Sequence, residues 1–209
     1  MHVPALFHER DQNRIDAFCR EHDFAMVVGW DGTAPVASHL LVEFERRPDG
    51  SAWLHGHMSR ANPLWRSFAD GREVLVVFHG PHTYVPARWY GHVNVPTWNY
   101  VAVHVYGVPH VVSDDAELRA MLSRLLERHE RGSDAAPPYR LETLPADVVD
   151  REIGGLVGFR VRVTRIEASF KLSQNRNPED HARIVRELEQ RGDENSVAIA
   201  QAMRSSRPA

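Results

Sequence analysis

Four segments of this 209-residue chain combine polar and aromatic side chains in a way that core packing alone does not call for. They are ASHLL (37–41), HGHMSRANPLW (55–65), the stretch from FHGPHTYVPARWY to VPTWNY (78–100), and FKLSQNR (170–176). The second carries the most specific chemistry. A strand delivers His57, a turn delivers Ser59 and Arg60, and Asn62 followed by Pro63 reads as the cap and first residue of a helix. Free backbone N–H groups at a helix start, a guanidinium and a hydroxyl together make an anion site, and phosphate is its natural guest. A plain helix cap with a solvated arginine accounts for the same residues.

The 13 histidines raise metal and haem chemistry. His55 and His57 lie two apart, so on a strand they share a face, and His39, His79 and His82 could join them. Cupin-type metal sites follow such a pair with a carboxylate three or four residues on. Here Ser59, Arg60, Ala61 and Asn62 follow, so that ligand is missing and no metal is expected. There is no Cys-x-x-Cys-His for covalent haem, while non-covalent haem through one histidine stays open. No Gly-x-Ser-x-Gly elbow, Walker loop or Gly-rich dinucleotide fingerprint occurs, and no catalytic residue is assigned. The aromatic cluster around Trp89-Tyr90 and Thr97-Trp98-Asn99 reads either as a packed subunit interface or as a flat wall for a planar ring. Lys171, Gln174, Asn175 and Arg176 supply donors suited to a phosphate, a ribityl chain or a pyrimidine edge.

The elements that must hold these groups follow from periodicity. A helix is expected over 11–22, with Ile15, Phe18, Cys19 and His22 on one stripe and Cys19 as a small core residue. FAMVVGW, Asp31-Gly32 and APVASHLLVEF make a hairpin, and Pro48-Asp49-Gly50 turns into SAWLHGHM. PLWRSFAD is a short helix stopped by Gly71. Strands follow at 72–80 and at 97–112, the latter bent near Gly107–Pro109. Ser113 is expected to cap a helix carrying Leu118, Met121, Leu122, Leu125, Leu126 and His129 on helical spacing, then 131–138 is a polar loop. Pro145 opens a short helix, GGLVG bends into a last long strand, and two charged helices after Pro178 finish the chain. Six hairpin-linked strands with helices at separated points predict a mainly β (α+β) fold, an antiparallel barrel with peripheral helices.

Hydrophobic residues make up 43% and charged residues 25%, ordinary globular usage that excludes disorder as the dominant state. A net charge of −3 argues against broad electrostatic grip on DNA. One cysteine, no basic-then-apolar start and no long apolar run lead to the expectation of a soluble, cytoplasmic protein with no membrane association.

HGHMSRANPLW, EVLVVFHGPHTYVPARWY, VPTWNYVAVHVYG and FKLSQNR, with VPALF near the start and the final helices, closely resemble the PaiB family, described as FMN-binding negative transcriptional regulators. The resemblance spans nearly the whole chain. It implies an FMN-binding split β-barrel over 1–176, similar to flavin reductases and pyridoxamine-phosphate oxidases, and a C-terminal helical extension over 177–209. It also implies a homodimer with FMN at the subunit interface. Carried onto this chain, Ser38, His39 and Leu40 line the isoalloxazine edge, and His57, Ser59, Arg60 and Asn62 lie near the phosphate. Thr97, Trp98, Asn99, Lys171, Gln174 and Arg176 are contributed from either subunit. The family's Pro-Ser before Trp-Tyr is replaced here by Pro86-Ala87-Arg88-Trp89-Tyr90, which removes a hydroxyl. The function implied is repression of genes for degradative-enzyme synthesis and sporulation, with DNA as a partner by resemblance only. The alternatives are an FMN-dependent oxidoreductase, or haem chemistry on the same barrel.

Overall fold

The computed structural model describes residues 1–131 and 139–206, so the polar loop expected over 131–138 lies, after Arg131, outside the described residues. Six strands form one sheet: β1 (Phe24–Trp30), β2 (Pro35–Arg46), β3 (Ala52–Ser59), β4 (Val74–Val85), β5 (Thr97–Val112) and β6 (Leu156–Lys171). The sheet closes into an antiparallel barrel, as expected, in the order β1-β2-β3-β6-β5-β4, with β1–β2, β2–β3, β3–β6 and β1–β4 pairing antiparallel. The helices are α1 (Gln12–Glu21), α2 (Asp115–His129), α3 (Ala146–Gly154), α4 (Pro178–Arg191) and α5 (Glu194–Ser205). No described helix is long and apolar enough to cross a membrane. The chain clusters into two compact units, Met1–His22 with Phe78–His104 and Ile166–Ala209, and Asp23–Val77 with Val105–Arg165.

In the second unit, β1 and β2 pair from Phe24↔Leu41 to Trp30↔Pro35. Asp31 closes this hairpin by accepting from Thr33 N and Ala34 N at 2.8 Å each, and Gly32 takes φ +102°. Strand β3 alternates cleanly: Ala52, Leu54, Gly56 and Met58 are buried, while Trp53, His55, His57 and Ser59 take the other face. Gly56 is required, because a Cβ there would lie 2.6 Å from the Phe159 ring. A 3₁₀ helix (Pro63–Asp70), rather than an α-helix, follows β3, with Asn62 as cap and Gly71 left-handed at φ 64°. The cap of α2 is Asp114, not Ser113: its carboxylate accepts from Ala116 N at 2.8 Å, and neither residue's sequence context separates the two. Leu118 and Met121 of α2 pack with Val112 and with Val149 and Ile153 of α3.

In the first unit, α1 starts on Asp11 and buries Ile15, Phe18 and Cys19. Strand β4 continues past the expected stop at Gly80 to Val85, because Gly80 packs its bare Cα against the Phe18 ring. Helix α4 opens with Asn177 as cap and Pro178, ends at left-handed Gly192 (φ 74°), and Asp193 then caps α5. Arg191 donates to Thr83 Oγ1 at 2.9 Å and to the Tyr84 carbonyl at 3.0 Å, holding the end of α4 on β4.

Candidate functional site

The turn after β3 gathers Ser38, Ser59, Arg60 and Asn62. Asn62 works in two directions: its Oδ1 accepts from Leu64 N at 3.0 Å, and its Nδ2 donates to Ser38 Oγ at 2.8 Å. This single side chain therefore ties β2 to the start of the 3₁₀ helix. Ser59 Oγ accepts from Ala61 N at 3.3 Å, Ser59 O accepts from Asn62 N at 2.9 Å, and Arg60 N donates to Gly155 O at 2.8 Å. The backbone N–H groups that sequence reasoning left free for an anion are thus taken by the cap and by the chain entering β6. What remains is a side-chain donor set: the hydroxyl hydrogens of Ser38 and Ser59, whose oxygens act as acceptors here, and part of the Arg60 guanidinium. Arg60 donates from Nε to Gly154 O at 3.0 Å and from Nη2 to Leu156 O at 2.8 Å, leaving Nη1. Two hydroxyls and a guanidinium nitrogen suit the oxygens of a phosphate monoester. Arg60 also borders a cavity of about 540 Å³ with Trp65, Ser113 and Arg119. Sequence reasoning did not use Trp65 or Arg119; Trp65 stood in the HGHMSRANPLW motif as the signal, and its Nε1 donates to Arg60 O at 3.0 Å.

The other candidates of this unit stand in different surroundings. His39 is exposed and stacks on Phe24, ring centroids 6.0 Å apart, while Leu40 is opposite Ala25 in the β1–β2 register. His57 is half-buried, and burial pushes its pKa down, so the imidazole is neutral at pH 7. It lines a largely aliphatic cavity, two residues before Ser59 on the same face of β3. His55, two residues earlier, is hydrogen-bonded to Glu45 across the strands, Nε2 to Oε2 at 2.9 Å. Burial raises the Glu45 carboxyl, but the bonds from His55 and Arg47 outweigh it and hold its pKa below the usual value. Among the described residues no group of three His, Cys, Asp or Glu side chains is placed to hold a metal ion.

In the first unit, the FKLSQNR turn is built largely for itself. Ser173 is the one described non-glycine residue with positive φ, 61°, and its hydroxyl donates to Asn99 Oδ1 at 3.0 Å. Asn99 is wholly buried, and its Nδ2 points to Met203 Sδ at 3.4 Å. Gln174 accepts from Leu172 N at 2.8 Å and donates to Phe170 O, closing the turn. Lys171, Arg176, Thr97 and Trp98 remain partly or fully exposed. Arg176 lies over the Tyr90 ring at 4.6 Å, and its Nε and the Tyr90 hydroxyl are buried without a partner among the described residues. Trp98, 52% exposed, is flanked by His82 at 5.9 Å and Tyr84 at 6.0 Å, so an open aromatic surface borders the start of β5. Tyr84 was missed because the sequence reading ended β4 before it.

Comparison with known proteins places this geometry. A family model described as "Putative FMN-binding domain" matches residues 1–165. The chain is also 36% identical over 203 residues to the Bacillus subtilis "Protease synthase and sporulation protein PAI 2", covering 97% of this chain and 96% of that protein. The chain belongs to this FMN-binding family. FMN is the cofactor of the family, and the hydroxyl hydrogens of Ser38 and Ser59 with Arg60 Nη1 are chemically suited to a phosphate group. Among solved structures, the flavocytochrome Anf3 of Azotobacter vinelandii superposes with a TM-score of 0.64 at 17% identity, covering 87% of this chain and 78% of that one. A FAD and haem binding protein of Mycobacterium smegmatis gives 0.61 at 19% identity, covering 84% and 78%. These likenesses establish the split-barrel fold of the family member described here.

Proposed function

We propose that this chain is a cytoplasmic, homodimeric FMN-binding negative regulator of transcription of the PaiB type. Ser38, Ser59, Arg60 and Asn62 hold the FMN phosphate, His39 and Leu40 border the isoalloxazine edge, and Thr97, Trp98, Lys171 and Arg176 from either subunit complete the site. Asn99 and Gln174 act by shaping that turn, since their side chains are bonded within it. The observation that carries the regulatory reading is the 36% identity, over 97% of the chain, to a protein named for protease synthesis and sporulation. FMN supplies a redox-active ring when bound. The chain's own task is to orient it with two hydroxyls, a guanidinium and an aromatic surface.

One observation favours a second reading, an FMN-dependent oxidoreductase. Four of the five basic residues over 160–176 are engaged within the chain, Arg160 with Glu117 at 3.0 Å, Arg165 over Tyr106 at 3.6 Å, Lys171 over Phe7 at 5.8 Å and Arg176 over Tyr90 at 4.6 Å, which leaves exposed Arg162 for DNA. The α4–α5 hairpin is no better, with six carboxylates against four arginines over 178–206. The deciding experiment loads the protein with FMN and runs two assays side by side. Salt-dependent shift of a promoter fragment, with a slope reporting several phosphate contacts, supports the regulator. Anaerobic bleaching of the flavin by NAD(P)H with turnover, and no DNA shift at any salt, rejects it in favour of the oxidoreductase.

A further inference from the structure

Beside the outward face of β2 and β3, α2 and α3 line a cavity of about 440 Å³, and of its walls the FMN resemblance draws on His57 alone. That volume is within the range of small-molecule sites. Its walls are aliphatic side chains from β2, α2 and α3, among them Leu41, Leu122, Leu125, Leu126, Val148 and Ile153. The cavity is not a packing failure of the whole layer, because Leu118, Met121, Val149 and Ile153 pack closely next to it. Ion pairs hold α2 at its distance from the sheet: Glu117 to Arg160 at 3.0 Å, Arg124 to Glu43 at 3.6 Å, and Arg128 to Asp23 at 2.9 Å. Collapse of α2 onto the strands would have to break them.

One polar group stands on the sheet side of this space. His57 makes no hydrogen bond with a described residue, and burial keeps it neutral, so one ring nitrogen offers a lone pair and the other an N–H. No lysine or arginine is among the described lining residues, and the one carboxylate, Glu152, is exposed. The other imidazole of the lining, His129, lies 3.5 Å from the Asp23 carboxylate, so an anion would have to compete with Asp23 for it, which argues against phosphates, carboxylates and the propionates of haem. Allowing roughly 30 Å³ per atom, the share of a water in liquid, the space takes about 15 non-hydrogen atoms.

We propose that this cavity is a second ligand site, for an uncharged ring-containing small molecule whose single N–H or O–H group donates to His57. Its walls share Ile153 and Leu156 with the cavity beside Arg60, but none of Ser38, Ser59, Arg60 and Asn62 lines it, and the proposal does not depend on FMN. Occupation would brace α2 and α3 against the sheet, which gives the family fold an input besides its cofactor.

The test uses N-phenyl-1-naphthylamine, a neutral amine of three aromatic rings with one N–H, near the upper limit of what the space holds, that fluoresces on leaving water, titrated into the full chain with and without saturating FMN. The expected result is saturable one-to-one binding that FMN leaves within about twofold. Val148→Trp, which fills the half-buried mouth, should weaken it at least tenfold while FMN affinity holds; Leu125→Phe serves if that variant fails to fold. His57→Leu keeps the walls apolar and should weaken the amine about fivefold, yet leave naphthalene, which has no donor, within twofold. The proposal is overturned by absence of saturable binding to the wild type, by equal binding to the filled variants, or by displacement of the probe by FMN. A chain that fails to bind FMN but binds the probe refutes the flavin reading alone.

Discussion

Asn62 offers the sharpest separation of structure from ligand binding, because its two ends do different things. Its Oδ1 caps the 3₁₀ helix at Leu64 N, and its Nδ2 reaches Ser38 Oγ. Asn62→Ala removes both. Loss of a cap costs about 1 kcal/mol, and loss of a half-buried neutral hydrogen bond costs about 1 kcal/mol more, so urea unfolding of the FMN-free protein should show a loss of about 2 kcal/mol. Asn62→Asp keeps an oxygen for Leu64 N and forfeits only the donor, so its stability loss should stay near 1 kcal/mol. For FMN the order reverses. A carboxylate about 5 Å from a phosphate charge is repelled by about 3 kcal/mol at an effective dielectric near 20, and solvent screening at this half-exposed site brings that to about 1–2 kcal/mol. FMN affinity, read by quenching of flavin fluorescence, should therefore fall roughly tenfold or more in Asn62→Asp. In Asn62→Ala, which adds no charge, it should fall less. If Asn62→Asp binds FMN as tightly as the wild type, the phosphate is not at this turn, and the assignment of Ser38, Ser59 and Arg60 fails with it.

Other outcomes follow from the same geometry. Ser173→Ala should destabilise by about 2 kcal/mol, since it keeps the left-handed strain and strips the wholly buried Asn99 Oδ1 of its donor. Ser173→Gly relieves that strain by about 1 kcal/mol and should unfold at higher urea than Ser173→Ala. Gly107→Ala would set a Cβ 2.3 Å from the Arg162 carbonyl oxygen, so a loss of about 3 kcal/mol or failure to fold is expected, and a wild-type urea midpoint would refute the close approach. Acid should weaken the fold before the carboxylates titrate. Burial depresses His57, and burial with the neighbouring His82 and His22 depresses His79. The unfolded chain then binds protons more readily, so stability is full above about pH 6.5 and is lost as pH falls through the lower folded values. Thermal unfolding from pH 7 to 5 checks this, and His57→Leu should flatten the profile.

Much of the barrel was legible because its signals are local. Asp31-Gly32 between two β-rich runs, Asn62-Pro63 before a helix and Asn177-Pro178 before another each carry their own turn or cap chemistry within four residues. The misplacements came where a distant element decides. Gly80-Pro81 reads as a strand end, yet β4 runs on because Phe18 of α1 covers Gly80. Asn99 and Gln174 read as ligand donors because amides commonly are, and their bonds to Ser173, Met203 and the turn's own backbone were not legible in the sequence. Arg60 was legible as a turn cation, while its attachment to Gly154 and Leu156 depends on residues more than 90 positions away.

The outward face of β3 shows why residue type alone could not finish the site. Period-two alternation fixes that Trp53, His55, His57 and Ser59 share a face, and that much is sequence. Their chemistry is set by what lies over each one. Arg47 and Arg160 flank Trp53 at 4.6 and 5.9 Å, and Glu45 takes His55. The mostly aliphatic cavity under α2 and α3 covers His57, whose burial pushes its pKa down, and the Asn62 turn engages Ser59. Two histidines two residues apart, identical as ligands on paper, thus become an imidazole bonded to a carboxylate and a bare neutral one. The helices between β5 and β6 make that difference, so variation in α2 and α3 should retune the face of β3 without altering β3 itself.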